Sequence, residues 1–523
     1  MPSADGARLP RPVVPPRPLA DLAARLGVLG DLAPAAGAPV RLTGVTLDSR
    51  AVRPGDLYAA LPGSHTHGAQ FCAQAVAAGA VAVLTDQDGR DRAVAAGLPP
   101  AAVLVVPDPR AVLGDVAAWV YGNPSDRLLL VGITGTNGKT TTSYLVDAGL
   151  RAAGHRTGLL GTVQTRVGDE VSDSARTTPE APDVQALLAL MVERGCTAAV
   201  LEVSSHALAL GRVDGVVFDV AVFTNLSQDH LDFHRTIEDY FAAKATLFTP
   251  RRARMALVDV DDAYGRRLRD LSSVPTQTCS STGGDADWRA VDVRTEPTGS
   301  RFVLRGPADE RVEVALTLPG AFNVANATCA LAALAMAGVP LPSAVAGVAA
   351  LAGVPGRMEP VTAGQSYLAL VDYAHTPEAV TTLLATARTL AGAHGRVLVV
   401  LGCGGDRDPY KRPLMGAAAV RGADLAVLTS DNPRSEDPAA ILAAMVAGAA
   451  DAVGPPDPSD PRYVVEPDRA RAIALAVDAA RPGDVVLVAG KGHETGQEVG
   501  ETVLPFDDRV VLREAIERAA VSP

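Results

Sequence analysis

The stretch from Leu128 to Thr142, LLLVGITGTNGKTTT, limits what this chain can fold into more than any other. Leu128 to Ile133 is a short apolar run between Arg127 and a glycine turn, which reads as a buried strand. Gly135, Asn137 and Gly138 supply the turn, and Lys139 opens a segment with helical spacing. Such a strand, turn and helix start present free backbone N–H groups to anionic oxygens. The lysine adds a point charge and the next hydroxyl can reach Mg²⁺, so the loop suits a nucleoside triphosphate. Gly135, Thr136, Asn137, Gly138, Lys139, Thr140 and Thr141 are the expected contacts. The strict Walker spacing is not met, because Ile133 stands where its first glycine belongs and Gly132 falls one residue early.

At 523 residues the chain has room for about three domains. A net charge of −12 argues against a nucleic-acid partner, which needs a basic surface. Anionic substrates would have to be met by local lysine and arginine clusters. Cys72, Cys196, Cys279, Cys329 and Cys403 are scattered with no CxxC pair, which suits a reducing compartment and argues against a disulfide framework or zinc site. The opening MPSADGARLPRPVVPPRPLA has no apolar core and is broken by prolines, so it is not a secretory signal. Residues 1–16 are expected to form a disordered lead. No charged residue lies between Glu313 and Arg357, yet Asn323, Asn326, Pro340 and Pro342 interrupt that stretch. A membrane span needs ~20 continuous apolar residues, so two alanine-rich helices around GVPLP are expected instead. The expected location is cytoplasmic, with no membrane partner.

Strands and helices alternate along the chain, which predicts an α/β fold of three domains. These are an N-terminal α/β domain over 17–125, a central P-loop ATPase-type parallel sheet over 126–355, and a C-terminal Rossmann-like, doubly wound domain over 356–523. In the first, strands at 45–47, 57–61, 81–84 and 103–106 flank helices at 68–78 and 109–121. In the second, strands at 128–133, 198–203 and 217–223 precede a helix over 237–248, and the text from 255 to 318 is strand-like. Glu202 ends one of these strands, where a carboxylate is well placed to hold the Mg²⁺ of a nucleotide. Lys244 stands alone on the largely apolar helix YFAAKATLF. By itself such a lysine snorkels to the surface, but buried it would lose its proton readily and become a reactive amine. In the third domain, strands at 367–371, 397–401, 425–429 and 485–488 each run into a polar motif. Those motifs are DYAH, GCGGDRD, DNPR and GKGHE, and four on one sheet edge imply a binding crevice.

Taken together, TGTNGKTTT, EVSSHAL, TNLSQDHLDFH with AAKATLF, LPGAFNVANA, GRME, VDYAHTP, GCGGDRDPYKRPLMG, DNPRSEDP and GKGHE resemble the Mur ligases, in this order and from about Leu47 to Asp508. The resemblance implies an amide ligase in cytoplasmic peptidoglycan precursor synthesis. It implies UDP-N-acetylmuramoyl-L-alanyl-D-glutamate and 2,6-diaminopimelate as substrates, and ATP with two Mg²⁺ sites. The D-glutamate γ-carboxylate would take the ATP γ-phosphate to give an acyl phosphate, which the incoming amine opens. A monomer is expected.

The resemblance assigns Lys139, Lys244 and His230 to catalysis, with Lys244 carbamylated. Thr140, Glu202, His230 and Lys244 match metal-site positions, and Asn323, Asn326, Arg357 and Asp372 match nucleotide positions. Leu47, Ser49, Ser64, His65, Thr66, Thr177, Thr178, Ser204 and Arg212 match UDP-muramoyl positions, which makes 17–125 the UDP-substrate domain. Leu210 departs from the family pattern, where glutamine is usual, so one polar contact must be missing or supplied elsewhere. Arg407, Asp431, Asn432, Pro433, Arg434, Gly490 and Glu494 match amino-acid positions. An arginine fork suits the second carboxylate of diaminopimelate, which lysine lacks. The bland reading of Arg434 is a salt bridge flanking a helix.

Two other readings compete. A lysine-adding or folylpolyglutamate synthetase-like ligase fits less well with DSR in a long N-terminal domain and with DNPR. A transport or binding ATPase that uses the loop mechanically would need no second crevice.

Overall fold

The computed structural model describes residues 9–28, 39–63, 66–174, 176–296, 298–455 and 462–521. Its N-terminal part holds a four-stranded parallel sheet, in the order Gly44–Thr46, Asp56–Ala59, Ala82–Thr85 and Val103–Val105. The helix Pro109–Val120 starts where Asp108 accepts the N–H groups of Arg110 and Ala111, with proline in the first turn where no N–H is missed. It packs Leu113, Val116 and Trp119 onto the sheet. The helix expected from Gly68 begins as a 3₁₀ turn, Gly68–Phe71, because His67 caps Ala69 N–H and tightens the start. The expected disordered lead does not hold for residues 9–16. Arg11 reaches Asp56 Oδ2 at 2.5 Å and the Ala51 carbonyl at 2.8 Å, so this segment supplies the counter-ion that a buried aspartate needs. Residues 1–8 of that lead lie outside the described residues.

The central sheet has eleven strands. Leu129–Thr134 lies between Ala198–Glu202 and Phe218–Phe223, parallel to both, so the glycine loop, Glu202 and Thr224 open at one edge. Behind the loop, the helix Lys139–Ala152 buries Leu145, Val146 and Leu150 completely. Each such side chain contributes about 1.5–3 kcal/mol, which anchors the loop on a rigid base. The alanine-rich segment forms the two expected helices, Ala321–Met336 and Leu341–Ala350, stacked on that helix. The stretch expected to be strand-like throughout contains a helix, Ala263–Leu271. It is short and mostly charged: with Arg266, Arg267, Arg269 and Asp270 in nine residues, only Gly265 and Leu268 are buried.

The C-terminal sheet runs Glu359–Pro360, Leu368–Asp372, Val485–Ala489, Val397–Cys403, Leu425–Ser430, Tyr463–Val465, and the last five strands are parallel. Apolar layers cover both faces, as a doubly wound sheet requires. A hairpin that the sequence does not announce, Gly496–Val499 with Thr502–Pro505, follows the GKGHE loop. Among the described residues, no helix is long and apolar enough to cross a membrane.

Candidate active site

A cleft of about 360 Å³ lies between the central and C-terminal sheets, lined by Thr136 to Thr141, Glu202, His230, Lys244, Asn326, Arg357 and Asp372. Its floor is the glycine loop. Gly138 has φ +87, and a Cβ there would collide with Asn326 Oδ1, so no other residue fits both the turn and the helix above it. Asn326 is set by Asn323, whose Oδ1 accepts its Nδ2 at 3.2 Å. Asn326, set by Asn323, therefore packs over the glycine loop.

Two lysines converge on one carbonyl. Lys139 Nζ donates to the oxygens of Gly135 (2.8 Å) and Thr136 (2.9 Å), and Lys244 Nζ donates to the same Gly135 oxygen at 2.8 Å. Lys244 does not snorkel: it is 1% exposed, and its nitrogen lies 4.5 Å from the centre of the Tyr240 ring. Burial drives its amine well below the ordinary lysine range, the Lys139 charge pushes the same way, and Asp229 opposes both. Glu202 is equally enclosed. Its Oε2 accepts from Thr140 Oγ1 (3.0 Å) and Thr162 Oγ1 (2.9 Å), and its Oε1 accepts from Thr162 N (2.9 Å).

The C-terminal domain closes this wall. Arg357 Nη2 donates to Thr140 Oγ1 at 3.2 Å while its guanidinium stacks 4.4 Å over Tyr373. Asp372 accepts from Met358 N (2.8 Å) and Ala374 N (2.7 Å) and so shapes the turn that carries Arg357. Burial raises its carboxyl, and Arg357 offsets part of that. Asp229 sits among His230 (3.4 Å), His375 (3.9 Å) and Lys411 (3.9 Å). Burial alone would raise its carboxyl, but these three groups together hold it below the usual range. His230 has φ +55, and burial keeps its imidazole neutral, free to donate a lone pair.

The residues matched to the UDP-muramoyl ligand fall into two groups. Thr178 Oγ1 donates to the Glu202 carbonyl at 2.8 Å, Ser204 N donates to Thr178 Oγ1 at 3.1 Å, and Thr177 Oγ1 lies 3.1 Å from Thr162 Oγ1. Arg212 reaches the Thr178 carbonyl at 3.3 Å, which completes a second cluster beside Glu202. Leu47 and Ser49 belong to the N-terminal domain, Leu47 against its core and Ser49 Oγ donating to Gln74 at 3.0 Å. Thr66 is exposed there, and Ser64 and His65 lie outside the described residues. The Leu210 departure has a structural counterpart. Leu210 offers only its carbonyl, to Arg110, while Glu180 gathers Arg212 (2.9 Å), Arg176 (2.9 Å) and Arg110 (3.5 Å).

Four loops build the second crevice at the carboxyl edge of the C-terminal sheet. Around Gly404, a Cβ would meet Arg434 Nη1, the Asn432 carbonyl and Arg407 Cγ within 4 Å. Asn432 Nδ2 donates to Glu494 Oε2 at 2.8 Å, and Lys491 Nζ donates to both Asn432 Oδ1 and Glu494 Oε2 at 2.9 Å. Gly490 leaves room for Asp431, whose Oδ2 a Cβ would approach to 2.5 Å. Pro433 passes its carbonyl over Gly405. Arg434 does make a salt bridge, but to the unannounced hairpin: its Nε meets Glu498 Oε2 at 2.6 Å and its Nη1 donates to the Gly405 carbonyl at 2.8 Å.

Sequence reasoning passed over Thr162, Asp229, Tyr240, Glu180, Lys411, Lys491 and Glu498. Asp229 and Lys491 lie inside motifs already singled out, and residue type alone marked them. Thr162 and Glu180 had no such signal, since only the parallel pairing of Thr157–Leu160 with Ala198–Glu202 brings Thr162 to Glu202.

Known proteins show the family. Three family models match: Mur ligase family, catalytic domain, over 41–121; Mur ligase middle domain, over 133–334; and Mur ligase, glutamate ligase domain, over 356–492. A Streptomyces avermitilis protein named UDP-N-acetylmuramoyl-L-alanyl-D-glutamate–2,6-diaminopimelate ligase is 58% identical over 513 residues, 97% of this chain and 98% of its own. A Corynebacterium glutamicum protein of the same name is 49% identical and covers 91% of this chain and 92% of its own. A solved structure bearing that name is 35% identical, covers 92% of this chain and 96% of its own, and superposes with a TM-score of 0.63. At such identity over nearly its whole length, the chain belongs to the Mur ligase family.

Proposed function

We propose that this chain is an ATP-dependent amide ligase that joins 2,6-diaminopimelate to UDP-N-acetylmuramoyl-L-alanyl-D-glutamate in the synthesis of peptidoglycan precursors. The observation that carries the choice of amine is the gathering of Arg407, Asn432 and Arg434 around Gly404, beside buried Lys491 and its half-buried partner Glu494. Arg434 offers a planar fork for a carboxylate that lysine does not have, and Asp431 and Glu494 offer charge to its ammonium groups. In this reading residues 17–125 and the Thr177, Thr178, Ser204 and Arg212 cluster take the UDP-muramoyl dipeptide. Residues 126–355 take ATP, and 356–523 take the amino acid. The surplus of arginine around Glu180 suits an anionic substrate. Cytoplasmic location and a monomeric state belong to the same proposal.

The donor set fits magnesium. A hard cation prefers oxygen, and Thr140 Oγ1 meets the Glu202 carboxylate beside the glycine loop. Thr140 and Glu202 would hold one Mg²⁺, and His230 with a carbamate on Lys244 a second; bound there, the ions neutralise charge on the transferring phosphoryl oxygens. The buried amine of Lys244 is suited to carbamylation because it gives up its proton easily. The rest of the chemistry is positioning. Gly135 to Gly138 turn backbone N–H groups to the phosphates, Lys139 follows their charge, and Arg357 brings the C-terminal domain onto Thr140.

Phosphate release by the purified chain, with an amino-acid panel, tests the reading. Release should require both the UDP-muramoyl dipeptide and diaminopimelate. Turnover without either would leave the transport-ATPase reading, and equal use of lysine would remove Arg434 as the selector.

A further inference from the structure

The two loops richest in amino-acid contacts, 431–434 and 490–494, spring from strands that are not neighbours. Leu425–Ser430 and Val485–Ala489 flank Val397–Cys403 on opposite sides. No ladder hydrogen bond can fix the distance between their last residues. Lys491 and Glu494 tie directly to Asn432 across the gap, and one further side chain bridges the two strand ends themselves. Arg469, in the first turn of the helix Arg469–Ala479, donates through Nη1 to the Ser430 carbonyl at 3.3 Å and through Nη2 to the Ala489 carbonyl at 3.0 Å. Its remaining edge is taken by Asp508, with Nε to Oδ1 at 2.8 Å and Nη2 to Oδ2 at 2.7 Å. Arg469 and Asp508 are both 0% exposed at their side chains.

A buried ion pair of this kind is a poor stabiliser, because removing two charges from water costs about as much as their attraction returns. What this pair supplies is geometry. Asp508 fixes the plane of the guanidinium, and the plane aims two N–H groups at two strand ends. The residue after each carbonyl is a crevice residue: Asp431 after Ser430, and Gly490 after Ala489. The same cation lies within electrostatic range of Asp431 and Glu494, the carboxylates that face the amine.

We propose that Arg469, oriented by Asp508, is a positioning residue for the amino-acid crevice, holding the 431–434 and 490–494 loops at the separation that the diamino acid spans. The assignment rests on the proposed function for the ligand, but the mechanical link itself does not. Two variants of the full chain test it. Arg469→Lys keeps the charge and loses the fork. Arg469→Met with Asp508→Leu removes both charges and keeps the packing, so the fold does not face an unpaired buried charge.

In both variants the KM for diaminopimelate should rise on the order of tenfold, the scale of one or two lost hydrogen bonds. The KM values for ATP and for the UDP-muramoyl dipeptide should stay within about twofold, whatever the thermal midpoint does. Amide hydrogen exchange should quicken at 431–434 and 490–494 and not at 135–140. An unchanged diaminopimelate KM in either variant, or an equal rise of all three KM values, would overturn the assignment. If the wild-type chain does not use diaminopimelate while exchange in the variants quickens at those two loops, the proposed substrate falls and the positioning role stands.

Discussion

The wall that carries the glycine loop and the crevice at the C-terminal sheet edge both gather cationic side chains, but they are built differently. The wall is made of backbone and of groups wholly or partly withdrawn from water: Gly138 pressed under Asn326, half-buried Lys139 and buried Lys244 on one carbonyl, and buried Glu202 among threonines. The crevice is made of side chains that hold one another: Arg434 with Glu498, Asn432 with Glu494, and Lys491 with both. On the proposed reading the wall takes phosphate, which is the same in every ATP, so rigid backbone on a buried sheet end suffices there. The amino acid is what distinguishes one ligand from another, and recognising it requires forks and counter-ions whose exposure varies. Charge effects should therefore be large on the wall and moderate in the crevice.

The largest effect expected is Lys244→Ala. If the buried amine becomes an anionic ligand, kcat should fall on the order of 10²–10³, as for loss of a preorganised charge-stabilising group. A short-chain carboxylate should restore part of it. An alanine variant with wild-type turnover in a phosphate-release assay would put the wall and the crevice on the same footing. Next comes Arg434→Ala. Arg434 is 20% exposed and already paired, so about 2 kcal/mol is expected, or roughly 30-fold in the KM for diaminopimelate. A kinetic titration against lysine and diaminopimelate would show whether the loss is confined to the ligand with two carboxylates.

Two smaller effects concern stability. His493 is pushed down to about 4, first by burial and then by Arg357 and Arg509. Its folded value lies below its unfolded one, so its contribution is complete above about 6.5 and is lost as pH falls toward 4. Thermal midpoints should drop over that window, and His493→Gln should flatten part of the drop; parallel curves would disprove the assignment. Behind the wall, burial pushes the Asp259 carboxyl up to about 8. Its folded value lies above its unfolded one, so stability present in acid is lost as pH rises through 8. Asp259→Asn keeps the acceptor for Asp261 N and should raise the midpoint at pH 8 by a few degrees. A lower midpoint would mean that the carboxylate itself is wanted there.

The parts of the site read most directly from the chain were contiguous ones. TGTNGKTTT is a local object, since strand, turn and helix start follow each other and their chemistry needs no distant partner. The four polar motifs were legible for the same reason, each standing directly after an apolar strand. Lys244 was not legible from its surroundings in sequence. On YFAAKATLF a surface lysine and a buried one look alike, and only the family resemblance favoured burial. The Arg434 partner was missed because Glu498 lies in a short, half-polar hairpin without a clear alternating pattern. The helix Ala263–Leu271 was missed although Tyr264, Leu268 and Leu271 stand at helical spacing, because only nine residues between strands carry the pattern.

What the chain determined by itself is the order of strands and helices, the three-part α/β organisation and the kinds of group at each strand end, because these follow from periodicity and from turn chemistry within a few residues. What only the tertiary structure decided is which of those groups share an environment. The proton on Lys244 depends on being shut away from water beside Lys139, which stands more than a hundred residues earlier. The spacing of the C-terminal crevice rests on partners far apart in sequence: one guanidinium that reaches two strand ends from a third element, and Asn432 bonded to Lys491 and Glu494. Desolvation and cross-sheet distance are properties of packing, and no local pattern encodes them.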